Sequence, residues 1–558
     1  MKTLIAIPAL LAAAVTAFAQ GGKPRTVPME GLSGYLQTAR GTALRNNQQT
    51  RKSETVKVTP DAPDAAACGS AAGTRFNLEP RTPPGALSQN ETVVDFLPGA
   101  GLNGNDLVVG TASDFRGFFG GLGDSATGYY VRRGTAAASP CAADFEGGLP
   151  AVVDQQTGIT LLGGGDAAIA ADPARQTFFL ADNRQGNGVS TIAVFRTTVA
   201  TLNNSTACPD GTHSTTAAMT CWPTSIEVSP RADGSVLVKP HLAIDPHSGA
   251  VYVTAILSNL SGAHPILSVC RADLSACSAP AILGPDDTNS RSAHVRVRPY
   301  TAPNATGAIT LTYANVHDTG APNFSQIFDI KYITCTPQAA AAPLCGTPTL
   351  VRSETQPIPA TSGGLGGGAL ASSQFIISTY PKHEHRQDAN GIETYIVWDR
   401  CQVPNGPTVD ICPNAGIAMA ASTDNGATWK FGVVDNSPGD QYFPWIATDT
   451  TNTVNIVYYS TRADPGNHRA QVVLRQILPG ALTPDPVSAP ITLTATGMEP
   501  NGDFFLGDFF IGNNIGVAAR STATGRRMYV HFMNNSVNGV YNGAPSPEQN
   551  NHLTRFDY

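Results

Sequence analysis

Stretches far apart in this chain repeat one phrase: an apolar strand, a turn built from Asp, Pro or Gly, and a second strand rich in Val and Tyr. The clearest copies are Leu242-Ala243-Ile244-Asp245-Pro246-His247-Ser248-Gly249-Ala250-Val251-Tyr252-Val253, and Trp445-Ile446-Ala447-Thr448-Asp449 running to Val454-Asn455-Ile456-Val457-Tyr458-Tyr459. Looser copies run from Val93 to Val109, from Ala168 to Leu180 and from Gly516 to Val530. With strand pairs around Val295 to Tyr313 and Phe375 to Trp398, they make seven units starting near residues 90, 167, 240, 293, 373, 441 and 504. A single hairpin unit cannot bury its own apolar face, so neighbouring units must stack. Radial stacking of four-stranded antiparallel units leaves only short sheet edges, which predicts an all-β propeller of seven blades, with six as the alternative. The last unit shows three good strands ending in His552-Leu553-Thr554-Arg555-Phe556, so Thr74-Arg75-Phe76-Asn77-Leu78 is expected to supply the fourth and close the ring.

The segment Ser422-Thr423-Asp424-Asn425-Gly426-Ala427-Thr428-Trp429 reads Ser-x-Asp-x-Gly-x-Thr-Trp. Asp424 can accept hydrogen bonds from the amides of its own turn, and Asn425-Gly426 supplies positions that tolerate φ > 0. Trp429 opens the next strand. With Ser422, Asp424, Gly426, Thr428 and Trp429 in place this is a complete Asp-box, and over about residues 74 to 558 the chain resembles the sialidase-like β-propellers, or BNR-repeat proteins. The resemblance implies a structural turn between the third and fourth strands of a blade, on the side away from the active site. Cys270-Arg271-Ala272-Asp273-Leu274-Ser275-Ala276-Cys277 occupies the equivalent turn two units earlier, with a disulfide expected in place of the Asp-box hydrogen bonds.

Residues 1–19 have the layout of a cleaved secretory signal peptide: Lys2, an apolar run from Leu4 to Phe18, and Ala17-Phe18-Ala19. Residues 20–73 lack periodicity and are read as an extended arm, with the propeller from 74 to 558. No later stretch is long and apolar enough for a membrane helix, so the protein is expected to be secreted or periplasmic. Eight of the ten cysteines fall into close sequential pairs, Cys208 with Cys221, Cys270 with Cys277, Cys335 with Cys345 and Cys401 with Cys412. The remaining pair is Cys68 with Cys141. An oxidising compartment turns such spacing into local disulfides, although spacing alone does not fix connectivity. A net charge of -7 provides no basic stripe, which argues against a nucleic-acid partner.

Several units end their second strand in an acidic or hydroxyl residue followed by arginine: Asp114-Phe115-Arg116, Asp182-Asn183-Arg184, Asp399-Arg400 and Ser460-Thr461-Arg462. The loops after the second strands of a propeller open on its ligand face. Arg116, Arg184, Arg400 and Arg462 are therefore candidates for binding a carboxylate by planar bidentate pairing. The resemblance makes this suggestive, since sialidases hold the sialic acid carboxylate with three arginines. The family's Arg-Ile-Pro motif is absent, and Asp-x-Arg pairs also serve as plain inter-strand ion pairs. A sialidase needs a tyrosine nucleophile with a glutamate, and an aspartate acid/base. Tyr395, Tyr442, Tyr458, Tyr459 and Tyr529 are available, no motif selects one, and strand tyrosines commonly pack between blades.

Tyr442 and Trp445 are further ligand candidates, as an aromatic platform for a sugar face, whereas Phe504 to Phe510 is expected to be core. His383-Glu384-His385 puts two imidazoles on one side of an extended segment, but with no third ligand nearby it is read as a solvated loop. Asp286-Asp287, or Asp503 with Asp508, could hold Ca²⁺, without an EF-hand or RTX pattern in support. No organic cofactor is indicated. These features favour a secreted propeller that binds an extracellular glycan or glycoprotein at its central face. The alternative is an exo-α-sialidase-type glycoside hydrolase, because a propeller hosts binding and catalysis alike.

Overall fold

A computed structural model describes residues 74–76, 89–114, 125–135, 141–209, 219–300, 307–318, 325–338, 341–357, 368–370, 376–377, 379–388, 391–402, 411–478, 488–494, 497–500, 511–512, 514–523, 525–541 and 544–558. Seven antiparallel sheets follow one another along the chain as the blades of a propeller. Their innermost strands are Gln89–Leu97, Ala168–Asp172, Val236–Ile244, Ser290–Val297, Lys382–Asp388, Gln441–Thr448 and Gly516–Thr522. We number the blades 1 to 7 in that order; these strands belong to the units expected from the repeats. In blade 4 the third strand, Ser325–Gln338, is long enough to pair with two successors, Ala341–Cys345 and Thr349–Pro357.

Blade 7 is completed from the other end of the chain. Thr74–Arg75 pairs antiparallel with Ala544–Asp557, matching Thr74 to Leu553 and Arg75 to His552. Phe76 continues the seam: its amide donates to the Asn551 carbonyl at 2.9 Å, and its own carbonyl accepts from the Ala143 amide of blade 1 at 3.1 Å. The Phe76 ring is fully buried with Phe96, Tyr130, Tyr529 and Leu553. Truncating a buried phenylalanine removes its transfer free energy and leaves a cavity. Phe76→Ala is therefore expected to lower the unfolding free energy in urea by about 3–5 kcal/mol; a loss below about 1 kcal/mol would mean that the ring closes without this residue.

Four expected disulfides are present, Cys208–Cys221, Cys270–Cys277, Cys335–Cys345 and Cys401–Cys412, which suits an oxidising compartment. Cys141 is also disulfide-bonded, while Cys68, the partner expected for it, lies outside the described residues. So do the signal and arm segments. Among the described residues no helix is long and apolar enough to cross a membrane.

The turn Ser422 to Trp429 joins the third and fourth strands of blade 5. Asp424 accepts from the Thr428 amide at 2.9 Å and from the hydroxyls of Ser422 at 2.8 Å and Thr428 at 2.5 Å. Asn425 and Gly426 have φ of 62° and 86°. Trp429 packs edge-on against Tyr332 of blade 4.

Candidate functional site

The innermost strands are not regular where they begin. Register shifts interrupt the first ladder of blade 1 between Asn90 and Val93, of blade 3 between Val238 and His241, of blade 4 between Arg291 and His294, and of blade 6 between Tyr442 and Trp445. Inside each bulge sits a non-glycine residue with left-handed backbone: Glu91 (φ 56°), Lys239 (52°), Ser292 (45°) and Phe443 (52°). Asp166, just ahead of the blade 2 strand, has φ of 52°. Such a conformation costs about 1 kcal/mol or more at an L-residue with a Cβ. A bulge re-aims the side chain that it carries, and here the same device recurs in four inner strands.

These bulges surround a pocket on the propeller axis to which every blade contributes: Val93, Asp166, Lys239, Ser292, Lys382, Trp445 and Asn514 represent blades 1 to 7 in turn. It is small, with room for about one or two water molecules. Tyr380 and His241 complete its aromatic side.

Charge is concentrated here although hardly any of it meets solvent. Lys239 Nζ lies 3.5 Å from Glu91 Oε1 and 3.4 Å from Asp166 Oδ1, with both carboxylates buried and the lysine side chain 9% exposed. Ser113, at the end of the second strand of blade 1, donates to Glu91 Oε2 at 2.8 Å and accepts from the Asp166 amide at 3.1 Å. Burial works to raise the Glu91 carboxyl, but the Lys239 charge and the hydrogen bonds from Asp166, Ser113 and Lys239 bring it below its usual value. Burial and the Glu91 charge push Asp166 well above its usual value. The two carboxyls are thus pushed in opposite directions, Glu91 towards its ionised form and Asp166 towards its protonated form. Burial opposes the Lys239 charge, yet Asp166 and Glu91 raise its pKa and keep it cationic.

Lys382 faces the same pocket in a different state. Its ammonium reaches Ser292 Oγ at 3.4 Å and lies 4.8 Å from the Trp445 ring centroid. Burial, followed by the Lys239 and Arg296 charges, brings it down to about 7. Behind it, Asp399 accepts the amides of Thr379 at 2.8 Å and Phe443 at 3.1 Å, and burial raises its carboxyl to about 6.

A row of histidines runs from the pocket wall between blades 3, 4 and 5. The His241 and His294 ring centroids are 3.9 Å apart, and His294 Nδ1 lies 3.2 Å from His383 Nδ1. The Thr310 hydroxyl bridges His383 Nε2 at 2.9 Å and His385 Nε2 at 2.7 Å. This corrects the expectation for His383-Glu384-His385. The two imidazoles do share one face of a strand, but blade 4 covers that face, so the segment is not a solvated loop. Burial leads the causes that hold all four imidazoles neutral, His385 down to about 3. Glu384, on the opposite face, pairs with Arg296 at 2.8 Å. Among the described residues no group of three or more ligand-type side chains is arranged to hold a metal. Asp287 accepts from the Tyr313 hydroxyl at 2.6 Å, while Asp503 and Asp508 lie outside the described residues.

None of the arginine candidates that the structure describes lines the axial pocket. Arg184 is fully buried, bonded to Asp182 at 2.8 Å and to the Pro150 carbonyl at 2.8 Å. Arg400 lies 5.4 Å from the centroid of the Phe431 ring, and Arg462 is exposed in a turn. Arg116 and the Phe504 to Phe510 group fall outside the described residues. Of the aromatic candidates, Trp445 stands on the axis, whereas Tyr442 is buried against Tyr459. Both are nearly inaccessible, so they form no open platform. Tyr395, Tyr458, Tyr459 and Tyr529 are buried as well. Glu91, Asp166, Lys239 and Lys382 escaped sequence reasoning because each stands alone, without a motif. One signal was present: Lys239-Pro240-His241 and Phe443-Pro444-Trp445 put proline inside an inner strand, where proline implies an edge or a bulge.

No family model matches the chain, and no curated protein does. Among solved structures it is similar to the Hadza microbial sialidase Hz136, at 8% identity over 81% of this chain and 73% of that one, with a TM-score of 0.37. It is also similar to the polysaccharide lyase Uly1, at 9% identity, 91% and 95% coverage and a TM-score of 0.40. A GH62 hydrolase solved with xylotriose is similar at 13% identity, with 57% and 86% coverage and a TM-score of 0.27. Likeness at this level says nothing about activity, which has to be read from the residues of the axial pocket.

Proposed function

We propose that this is an exported propeller that recognises an extracellular glycan or glycoprotein at its axial pocket. The observation that carries this reading is the convergence of all seven blades on one pocket, shaped by left-handed bulges that a purely structural ring would not need. Asp166, Lys239 and Ser292 supply donors and acceptors of fixed orientation at the pocket, a combination suited to sugar hydroxyls, while Trp445 and Tyr380 wall its apolar side. The test is binding of the mature chain to an array of neutral and acidic glycans. Retention of at least one glycan class, weakened about tenfold or more by Asp166→Asn or Trp445→Phe, is the expected outcome. A folded protein that retains no glycan sinks this reading.

One observation favours a second reading, glycoside hydrolysis. Glu91 and Asp166 are paired carboxyls whose pKa values are pushed apart, Glu91 down and Asp166 up, the pattern by which acid and base roles are divided. Release of free sugar from α-sialosides or neutral glycosides, abolished by Asp166→Asn, would establish it. Persistence of any such release in Arg184, Arg400 and Arg462 alanine variants would separate it from an arginine-based sialidase site.

A further inference from the structure

Two lysines face the axial pocket, and only one has carboxylate partners. Lys239 is held between Glu91 and Asp166. Lys382 is 5% exposed, and among the described residues no carboxylate lies within ion-pair distance of it. The charged and titratable groups around it are mostly cationic or neutral: Lys239, Arg296 and the imidazoles of His241, His294 and His383, against Glu91 and Asp399 at longer range. A buried ammonium without a counter-ion, next to a fixed cation, sheds its proton, and a lysine in that situation is an activated nucleophile.

We propose that Lys382 is a carbonyl-reactive amine, and that the axial pocket takes a small aldehyde or ketone which Lys382 holds as an imine. The Nζ lone pair attacks the carbonyl carbon, a C–N bond forms, and a proton passes from nitrogen to the former carbonyl oxygen to give a carbinolamine. The C–O bond then breaks. Asp166, which lines the same pocket as a carboxylic acid, gives its proton to the departing hydroxyl and recovers one from the iminium nitrogen. The net change is amine plus carbonyl to imine plus water, with no oxidant or reductant. Fixed in place by its two carboxylates, Lys239 keeps a positive charge beside Lys382 and so disfavours reprotonation of the amine before the attack. This activity does not depend on glycan recognition and can fail or succeed separately from it.

The experiment is limited labelling of the folded mature chain with glycolaldehyde and cyanoborohydride at pH 7, with the hydroxyethyl adduct at each lysine measured by peptide mass spectrometry. An ordinary lysine titrates near 10.5 and one at about 7 has about a thousandfold more free amine at pH 7, partly offset by its lower basicity. Lys382 is expected to be labelled at least about tenfold faster than any other lysine, with that advantage lost in urea. Its rate should level off above pH 7 while the other lysines continue to speed up towards pH 10. The adduct should disappear in Lys382→Arg with no new site replacing it. Labelling of Lys382 no faster than exposed lysines in the folded wild-type chain overturns the proposal, as does a preference that survives unfolding; neither readout depends on whether a variant folds.

Discussion

Acidified from pH 7, the protein is expected to lose its fold cooperatively near pH 5. Five buried imidazoles carry this effect: His241, His294, His383 and His385 in the row between blades 3 and 5, and His531 in blade 7, where burial lowers the pKa to about 4. Each has a folded-state pKa below the unfolded value of about 6.5, so on acidification the unfolded chain takes up protons first. The stability held in these groups is present in full above pH 6.5 and is lost as the pH falls towards about 4 for His531 and about 3 for His385. All five act in the same direction, and the net stability of a domain is small enough for their combined loss to matter. The raised carboxyls of Asp166, Asp182, Glu227, Glu354 and Asp399 act in the opposite direction, because they bind protons in the folded state first, whereas lowered ones such as Glu91, Asp245 and Asp435 act with the imidazoles. Tryptophan fluorescence followed against pH provides the readout. Replacing His383 with Asn should move the midpoint downwards, and an unchanged urea midpoint at pH 4 would show that the imidazoles ionise without cost.

Removal of the Lys239 charge is expected to be the most damaging conservative change in the pocket. Lys239→Met leaves Glu91 and Asp166 buried without their cation. Breaking a buried ion pair from one side costs about 3–5 kcal/mol, because the remaining charge is stranded. At pH 8, where the histidines contribute in full, the variant should lose about that much in urea unfolding and should lose glycan retention with it. Adding Glu91→Gln should recover more than half of the lost stability, since the interaction is shared. If the single variant costs less than about 1 kcal/mol, the carboxyls are neutral in the wild type and the assignment of charge to Glu91 is wrong.

Much of the ring was legible in the sequence. The strand-turn-strand phrase recurs because each blade must present the same apolar faces to its neighbours, and that pressure leaves its mark on Leu242 to Val253 as clearly as on Trp445 to Tyr459. The cysteine pairs were legible for the same local reason. The pocket was not, because its residues come one or two at a time from strands separated by whole blades, and only ring closure makes Glu91 a neighbour of Lys239. The Asp-x-Arg steps drew attention because they are local, and at Arg184 local pairing with Asp182 is all that they are. With His383-Glu384-His385, a period of two put both histidines on one face, but nothing in those residues says that Thr310 of another blade lies over them.

Since each blade supplies part of the pocket wall, no fragment of the chain contains it. Thr74 pairs with Leu553, a contact that brings together the two ends of the seven-blade ring. Such long-range closure is slow to form. A nascent or truncated chain thus has neither the pocket nor an activated Lys382, whose reactivity arises from neighbours contributed by other blades. The pocket therefore arrives all at once, when the ring closes, and a protease cut that opens the seam at Phe76 is expected to remove it.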